Sequence, residues 1–136
     1  MDKHYPLESR KKIEKFYIGK QSLEGGLRLE GFFNLTKLCC SNNQLTSLGF
    51  ILQISDPKGL GTLIVNNNKL VCHLSDFSSL TNLKILKLGN NKFDTTLEYL
   101  PHNLKAIYCQ GCMELEEKLK GFEMKDKNEK CYDVKK

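Results

Sequence analysis

The sequence predicts an α/β solenoid of about five stacked repeats with short helices at its ends. Three segments share one spacing of apolar residues, at offsets 0, 3, 5 and 10, with asparagine at offset 8; they begin at Leu35, Leu60 and Leu83. Two weaker copies begin at Ile13 and Leu104, so successive starts lie 22, 25, 23 and 21 residues apart. A period of this length indicates a solenoid, in which each unit buries its apolar face against its neighbours.

Within each repeat, the apolar residues at offsets 3 and 5 alternate with outward-facing positions and predict a short strand. The asparagine at offset 8 follows the strand, where its side chain can bond main-chain groups that a turn leaves unpaired. The stacked copies predict a structural asparagine ladder of Asn43, Asn68 and Asn91, with Gln21 and Cys112 at the equivalent end positions.

The segments between the strands should supply the other wall of the core. Their apolar residues are Leu27, Leu29, Phe33, Leu48, Phe50, Leu52, Ile54, Leu74, Phe77, Leu80, Leu97 and Leu100. The domain prediction is an N-terminal helical cap over residues 1–12, repeats over 13–115, and a C-terminal helical cap with a charged tail over 116–136. Pro6 suits a first helical turn, and Leu115, Leu119 and Phe122 follow helical spacing.

This pattern resembles the leucine-rich repeat, L-x-x-L-x-L-x-x-N/C-x-L, over residues 13–115. The run from Asn34-Leu35 to Thr46-Ser47-Leu48 is similar to the short repeats of fungal and protist cytoplasmic proteins. The resemblance implies a short parallel sheet on the concave side of the solenoid and a role in recognising other proteins. That role is an expectation by family analogy, because a fold does not determine a function.

The concave strand face is the candidate binding site. Its exposed isoleucine and tyrosine side chains favour a protein partner, since tyrosine is enriched in interface hot spots. The alternative is that β-branched and aromatic residues simply favour strands. The candidate binding residues are Lys15, Tyr17, Lys37, Cys39, Thr62, Ile64, Asn66, Ile85, Lys87 and Tyr108.

Net charge and cysteine usage predict the compartment and the partner class. The net charge of +5 is spread along the chain, which argues against a nucleic-acid stripe. An alternative is binding of RNA or of an acidic membrane through Lys15, Lys20, Lys37 and Lys87. This alternative predicts an affinity that depends steeply on salt concentration. Residues 1–6 lack the apolar region of a secretory signal, so the six cysteines are expected to be free thiols in the cytoplasm. We expect a monomer without a membrane partner.

The motif Cys109-Gln110-Gly111-Cys112 is a C-x-x-C, which is typical of zinc or redox sites. These cysteines also occupy the offset-5 core position and the asparagine position, which predicts structural thiols. The chain carries no G-x-S-x-G, Walker or H-E-x-x-H motif. The sequence therefore predicts a non-catalytic protein–protein interaction module without catalytic residues, metal or cofactor. The alternative is a structural or regulatory fragment of a larger multidomain protein with no ligand of its own.

Overall fold

The computed structural model describes residues 6–49 and 59–119, which form a solenoid of parallel strands. One strand from each repeat joins a five-stranded parallel sheet in the order β1-β3-β5-β7-β9. These strands are β1 Lys15–Tyr17, β3 Lys37–Cys39, β5 Thr62–Ile64, β7 Ile85–Lys87 and β9 Ala106–Tyr108.

A second, shorter strand follows the turn in four of the repeats and forms two small parallel sheets. In the first, β2 (Glu24–Gly25) pairs with β4 (Gln44–Leu45). In the second, β6 (Val71–Cys72) pairs with β8 (Lys92–Phe93). The chain then returns to the main sheet, partly through the 3₁₀ turns Leu74–Phe77 and Leu97–Tyr99.

The register of the main sheet follows the repeat template. Each strand pairs with the equivalent strand of the next repeat, so residues at the same offset lie side by side. The offset-3 residues form one continuous buried row of Phe16, Leu38, Leu63, Leu86 and Ile107.

The core lies between this sheet and the returning segments. Every offset-3 and offset-5 residue in it is buried, with at most 4% of its surface exposed. Full burial of one such aliphatic side chain stabilises a fold by about 1.5–3 kcal/mol. Because every row crosses several repeats, this stabilisation is shared between neighbours.

The returning segment before β3 departs from the sequence prediction. Phe32, rather than Phe33, lines the core: Phe32 is fully buried and Phe33 is 45% exposed. The Phe32 ring packs 4.7 Å from the Phe16 ring, centroid to centroid. The Arg10 guanidinium lies 5.9 Å from the Phe32 ring centroid and donates to the Glu30 carbonyl at 2.9 Å. The prediction for Phe33 was therefore wrong by one residue.

Two short helices lie near the ends of the described chain. Helix α1 spans Leu7–Arg10, and helix α2 spans Met113–Leu119. On α2, the side chains of Leu115 and Leu119 are buried in the core. The remaining predicted core residues, Phe50, Leu52, Ile54 and Phe122, lie outside the described residues.

Candidate functional site

The outward side of the five-stranded sheet is the candidate site, and we call it the open face. Strand alternation turns the middle residue of each strand into the core and the two flanking residues away from it. The open face consists of Lys15, Tyr17, Lys37, Cys39, Thr62, Ile64, Ile85, Lys87, Ala106 and Tyr108.

The ten side chains form two rows across the strands. The first row runs Lys15, Lys37, Thr62, Ile85 and Ala106, and the second runs Tyr17, Cys39, Ile64, Lys87 and Tyr108. The structure thus brings nine of the ten predicted binding residues onto one surface. The tenth, Asn66, follows the end of β5 and borders the same surface.

A lysine lies over each of the two tyrosines on this surface. The Lys37 Nζ lies 5.4 Å from the centre of the Tyr17 ring on β1. The Lys87 Nζ lies 4.8 Å from the centre of the Tyr108 ring on β9. Both distances fit cation–π contacts, which contribute about 0.5–1 kcal/mol at exposed sites. The two lysines therefore lean toward opposite edges of the sheet.

The centre of the open face carries two isoleucines beside Thr62. Ile64 on β5 pairs in register with Cys39 and Lys87, and Ile85 on β7 is 36% exposed. Because Lys37 and Lys87 lean toward the edge strands, their ammonium groups flank this centre on opposite sides.

A turn in the left-handed backbone region ends every strand of the sheet. Lys20, Asn42, Asn67 and Asn90 have φ values between 56° and 59°. Asparagine tolerates this region better than most residues with a side chain. Gly111 takes the fifth position with φ of 88°, and a Cβ there would collide with the side-chain oxygen of Asn90.

The asparagines of these turns form an exposed row along one rim of the open face. Asn67 Nδ2 donates to Asn42 Oδ1 at 2.9 Å, and Asn90 Nδ2 donates to Asn67 Oδ1. Beside this row lies a shallow depression of about 330 Å³ that is lined in part by Asn66, Lys87 and Tyr108. The buried Oδ1 of Asn66 has no hydrogen-bond partner among the described residues.

The predicted asparagine ladder lies behind the turns, and Asn68 shows its bonding pattern. Its Nδ2 donates to the Val65 carbonyl of its own repeat at 3.0 Å and to the Cys40 carbonyl of the preceding repeat at 3.1 Å. Its Oδ1 accepts from the Leu45 N–H at 3.0 Å. One side chain thus joins the ends of β3 and β5 to each other and also accepts a main-chain hydrogen bond from β4.

Asn43 and Asn91 repeat this pattern one turn away on either side. Asn43 donates to the Ile18 and Cys40 carbonyls, and Asn91 donates to those of Val65 and Leu88. The turns that carry the exposed row are therefore held in place by the amides of Asn43 and Asn91, which are buried, and of Asn68, which is half-buried. These bonds hold the end of the open face in a fixed geometry.

The C-x-x-C cysteines lie within this same framework. Cys112 occupies the ladder position, and its thiol donates to the Leu88 carbonyl at 3.2 Å. Cys109 is fully buried at the offset-5 core position. Desolvation raises the pKa of Cys109 to about 12, with further contributions from Cys112 and Glu116. Within residues 6–49 and 59–119, no group of three or more His, Cys, Asp or Glu side chains could hold a metal ion.

A second polar cluster, which the sequence analysis did not find, lies outside the open face. His73 Nδ1 and Asp94 Oδ2 are 2.9 Å apart, and Asp94 Oδ1 accepts from the Leu74 N–H and the Thr96 hydroxyl. His73 and Asp94 are separated by 21 residues, close to the repeat period. That spacing was the only sequence signal for the pair.

Comparison with protein-family models and with curated protein sequences found no match to this chain. Among the helices in the described part of the chain, none is long and apolar enough to cross a membrane.

Proposed function

We propose that this chain is a leucine-rich-repeat module that recognises a protein partner through the open face and catalyses no reaction. The observation that carries the proposal is the grouping of Tyr17, Ile64, Ile85 and Tyr108 on one side of the sheet, with Tyr17 58% exposed and Ile85 36% exposed. Tyrosine supplies rigid contact area with a polar tip and is enriched in interface hot spots. The repeat template and the asparagine at offset 8 of the three central repeats support the leucine-rich-repeat assignment.

The dimensions of the open face set the expected strength of binding. Five strands about 4.8 Å apart, with about five residues each when the turns are included, present roughly 400 Å². A standard interface buries about 800 Å² on each partner. The open face by itself therefore supports weak or transient binding, and a tighter complex would also use the loops or the terminal helices.

We also propose a cytoplasmic location, supported by the state of the thiols. The Cys112 thiol can donate to the Leu88 carbonyl only while it carries its hydrogen. A disulfide would remove that hydrogen and leave the buried carbonyl without this donor. A reducing compartment keeps such thiols in the form that the ladder uses.

Site-specific photo-cross-linking tests the proposed function. Benzoylphenylalanine is placed at position 64 on the open face or at position 33, an exposed aromatic position outside the sheet. The cells that express the chain are then irradiated. We expect a protein that is cross-linked from position 64 and not from position 33. Identical products from both positions, or products from position 33 alone, would contradict binding through the open face and favour a module with no ligand of its own there.

Binding of the identified partner provides a second test. The purified partner is titrated with wild type and with a variant carrying Tyr17→Ala, Ile64→Ala, Ile85→Ala and Tyr108→Ala. Loss of these anchors should weaken binding by at least about tenfold. Urea unfolding of the variant establishes that it is folded, and Phe33→Ala is the control for loss of an exposed aromatic side chain elsewhere.

A further inference from the structure

We infer that the open face binds an acidic, extended segment of the protein partner, with one apolar side chain between two carboxylates. This inference rests on the proposed function and goes beyond it by naming the chemistry of the bound segment. Three of the ten open-face residues, Lys15, Lys37 and Lys87, are cationic, and none is Asp or Glu. Lys20 adds a fourth cation at the turn after β1. The whole chain, in contrast, has 21 Lys and Arg against 16 Asp and Glu.

The positions of the lysines determine where the carboxylates should bind. Lys37 on β3 and Lys87 on β7 are separated by two strand spacings and by two residues along the strand direction, or roughly 12 Å at the main chain. Their ammonium groups lean away from each other, toward Tyr17 and Tyr108. The distance between the two cations therefore exceeds the distance between their strands.

An extended peptide matches this arrangement. At about 3.3 Å per residue, side chains at positions i and i+4 lie roughly 13 Å apart on the same side of the peptide. The side chain at i+2 lies on that side too, midway between them. With carboxylates directed at Lys37 and Lys87, the central residue lies over β5 and faces Ile64, with Thr62 and Ile85 beside it. The motif that fits is acidic-x-apolar-x-acidic.

The same geometry disfavours single-stranded nucleic acid. Binding of that kind combines a cationic groove with aromatic rings on which bases stack. Here each tyrosine ring already has a lysine ammonium within 5.4 Å of its centre. A base could stack on that side of the ring only by displacing the cation. The centre of the face also presents Ile64 and Ile85, which match an apolar side chain better than a phosphate group.

A set of three peptides tests the inference. The acidic probe is acetyl-Asp-Glu-Ser-Leu-Ser-Glu-Asp-amide. Its neutral counterpart replaces each acid with the matching amide, and a third peptide replaces Leu with Gly. Binding to the full chain is measured by fluorescence anisotropy. We expect the acidic probe to bind at least about tenfold tighter than the neutral peptide. The glycine peptide should bind more weakly than the leucine probe, because it lacks the apolar contact.

Two double variants locate the site on the protein. Lys37→Gln/Lys87→Gln removes the two flanking cations, whereas Lys69→Gln/Lys92→Gln removes two exposed lysines outside the five-stranded sheet with the same change in net charge. Only the Lys37→Gln/Lys87→Gln variant should bind the acidic probe more weakly than wild type, by at least about tenfold. An equal effect of both variants would show that binding depends on net charge alone and would overturn the inference. Urea unfolding establishes that both variants are folded.

Two competitors and the cross-linked partner separate the remaining outcomes. Tighter binding of decauridylate, or of vesicles of phosphatidylserine and phosphatidylcholine, than of the acidic probe would overturn the inference. If a protein is cross-linked from position 64 but binds Lys37→Gln/Lys87→Gln as well as wild type, the acidic-segment inference fails and the proposed function stands. If no protein is cross-linked from position 64, the proposed function fails, whatever the peptides do.

Discussion

The side-chain amide of Asn68 donates to the Cys40 carbonyl of the preceding repeat across 3.1 Å. This bond joins two turns of the solenoid through a side chain, at the point where both strands have just ended. The same asparagine accepts from the Leu45 N–H. The end of a strand in one repeat is therefore held by an asparagine side chain of the next repeat. This contact couples the stability of one repeat to that of its neighbour.

Replacement of Asn68 tests this coupling. Asn68→Leu keeps the number and branching of the side-chain heavy atoms but leaves the Cys40 and Val65 carbonyls and the Leu45 N–H without this partner. The free energy of unfolding should fall by roughly 1–3 kcal/mol, measured by urea denaturation. The matched control is Asn66→Leu, because the Asn66 side-chain oxygen has no partner among the described residues. It should not lower the free energy of unfolding, because the oxygen that it removes makes no hydrogen bond with the described residues and is costly to bury. Equal losses in the two variants would argue against the ladder.

Cys112 shows how far the repeat template alone could predict the structure. The template places Cys112 at the asparagine position, and its thiol donates to the Leu88 carbonyl as Asn91 and Asn68 donate to earlier strands. The register of the main sheet is predictable in the same way, because all five repeats share one spacing of apolar residues at offsets 0, 3 and 5. Periodic features of the chain could therefore be predicted from the sequence, with the buried face of each strand among them.

Features without a period could not be predicted from the sequence. Phe32 and Phe33 are adjacent aromatics in a returning segment, where no alternation decides which one is buried. Arg10 donates to the Glu30 carbonyl across 20 residues, and no motif marks that pair. On the open face, the template predicted which side chains point outward. It did not predict that Lys37 and Lys87 would lean over tyrosines on the edge strands, because side-chain direction depends on neighbouring strands.

The left-handed turn at Asn67 gives a second prediction. Asn67→Gly keeps a residue that readily adopts positive φ but loses the side-chain bonds to Asn42 and Asn90. Asn67→Val loses the same bonds and also places a β-branched residue at a φ of 59°. The valine variant should be less stable than the glycine variant by about 1–2 kcal/mol. If urea denaturation finds the two equally stable, the backbone conformation contributes nothing to this turn.

The free energy of unfolding should depend on pH through the carboxyl group of Asp94. Desolvation is the largest single influence and raises the pKa of this carboxyl group. The hydrogen bonds from the Leu74 N–H, His73 and Thr96 together outweigh it, so the pKa in the folded state lies below the ordinary value of 3.8. The carboxylate therefore stabilises the fold above about this pH, and the contribution is lost as the pH falls through the folded-state pKa.

The measurement compares wild type with Asp94→Asn, from about pH 5 to about pH 2. The wild type should be the more stable protein at the upper end, and the difference in the free energy of unfolding should shrink toward the lower end. A difference that stays constant down to pH 2 would contradict the assigned hydrogen bonds.

The thiols predict a marked difference in reactivity between two adjacent cysteines. Cys39 points outward on the open face, whereas Cys40 is fully buried. Desolvation, with a smaller contribution from Cys39, raises the pKa of Cys40 to about 12. Since the thiolate is the reactive form, the raised pKa leaves very little reactive Cys40 at pH 8. N-ethylmaleimide should therefore modify Cys39 well before Cys40 or Cys109 in the folded protein.

Tandem mass spectrometry after timed exposure locates the modified residue, and Cys39→Ser is the control that removes the fast site. In concentrated urea, Cys39 and Cys40 should react at similar rates, because burial no longer separates them. Modification of Cys39 also tests the proposed binding site, because a maleimide adduct on Cys39 lies between Tyr17 and Ile64 in the same row. The adduct should block binding of the acidic probe. In the labelling experiment itself, modification of Cys40 as fast as that of Cys39 would show that the sheet does not bury the Cys40 thiol.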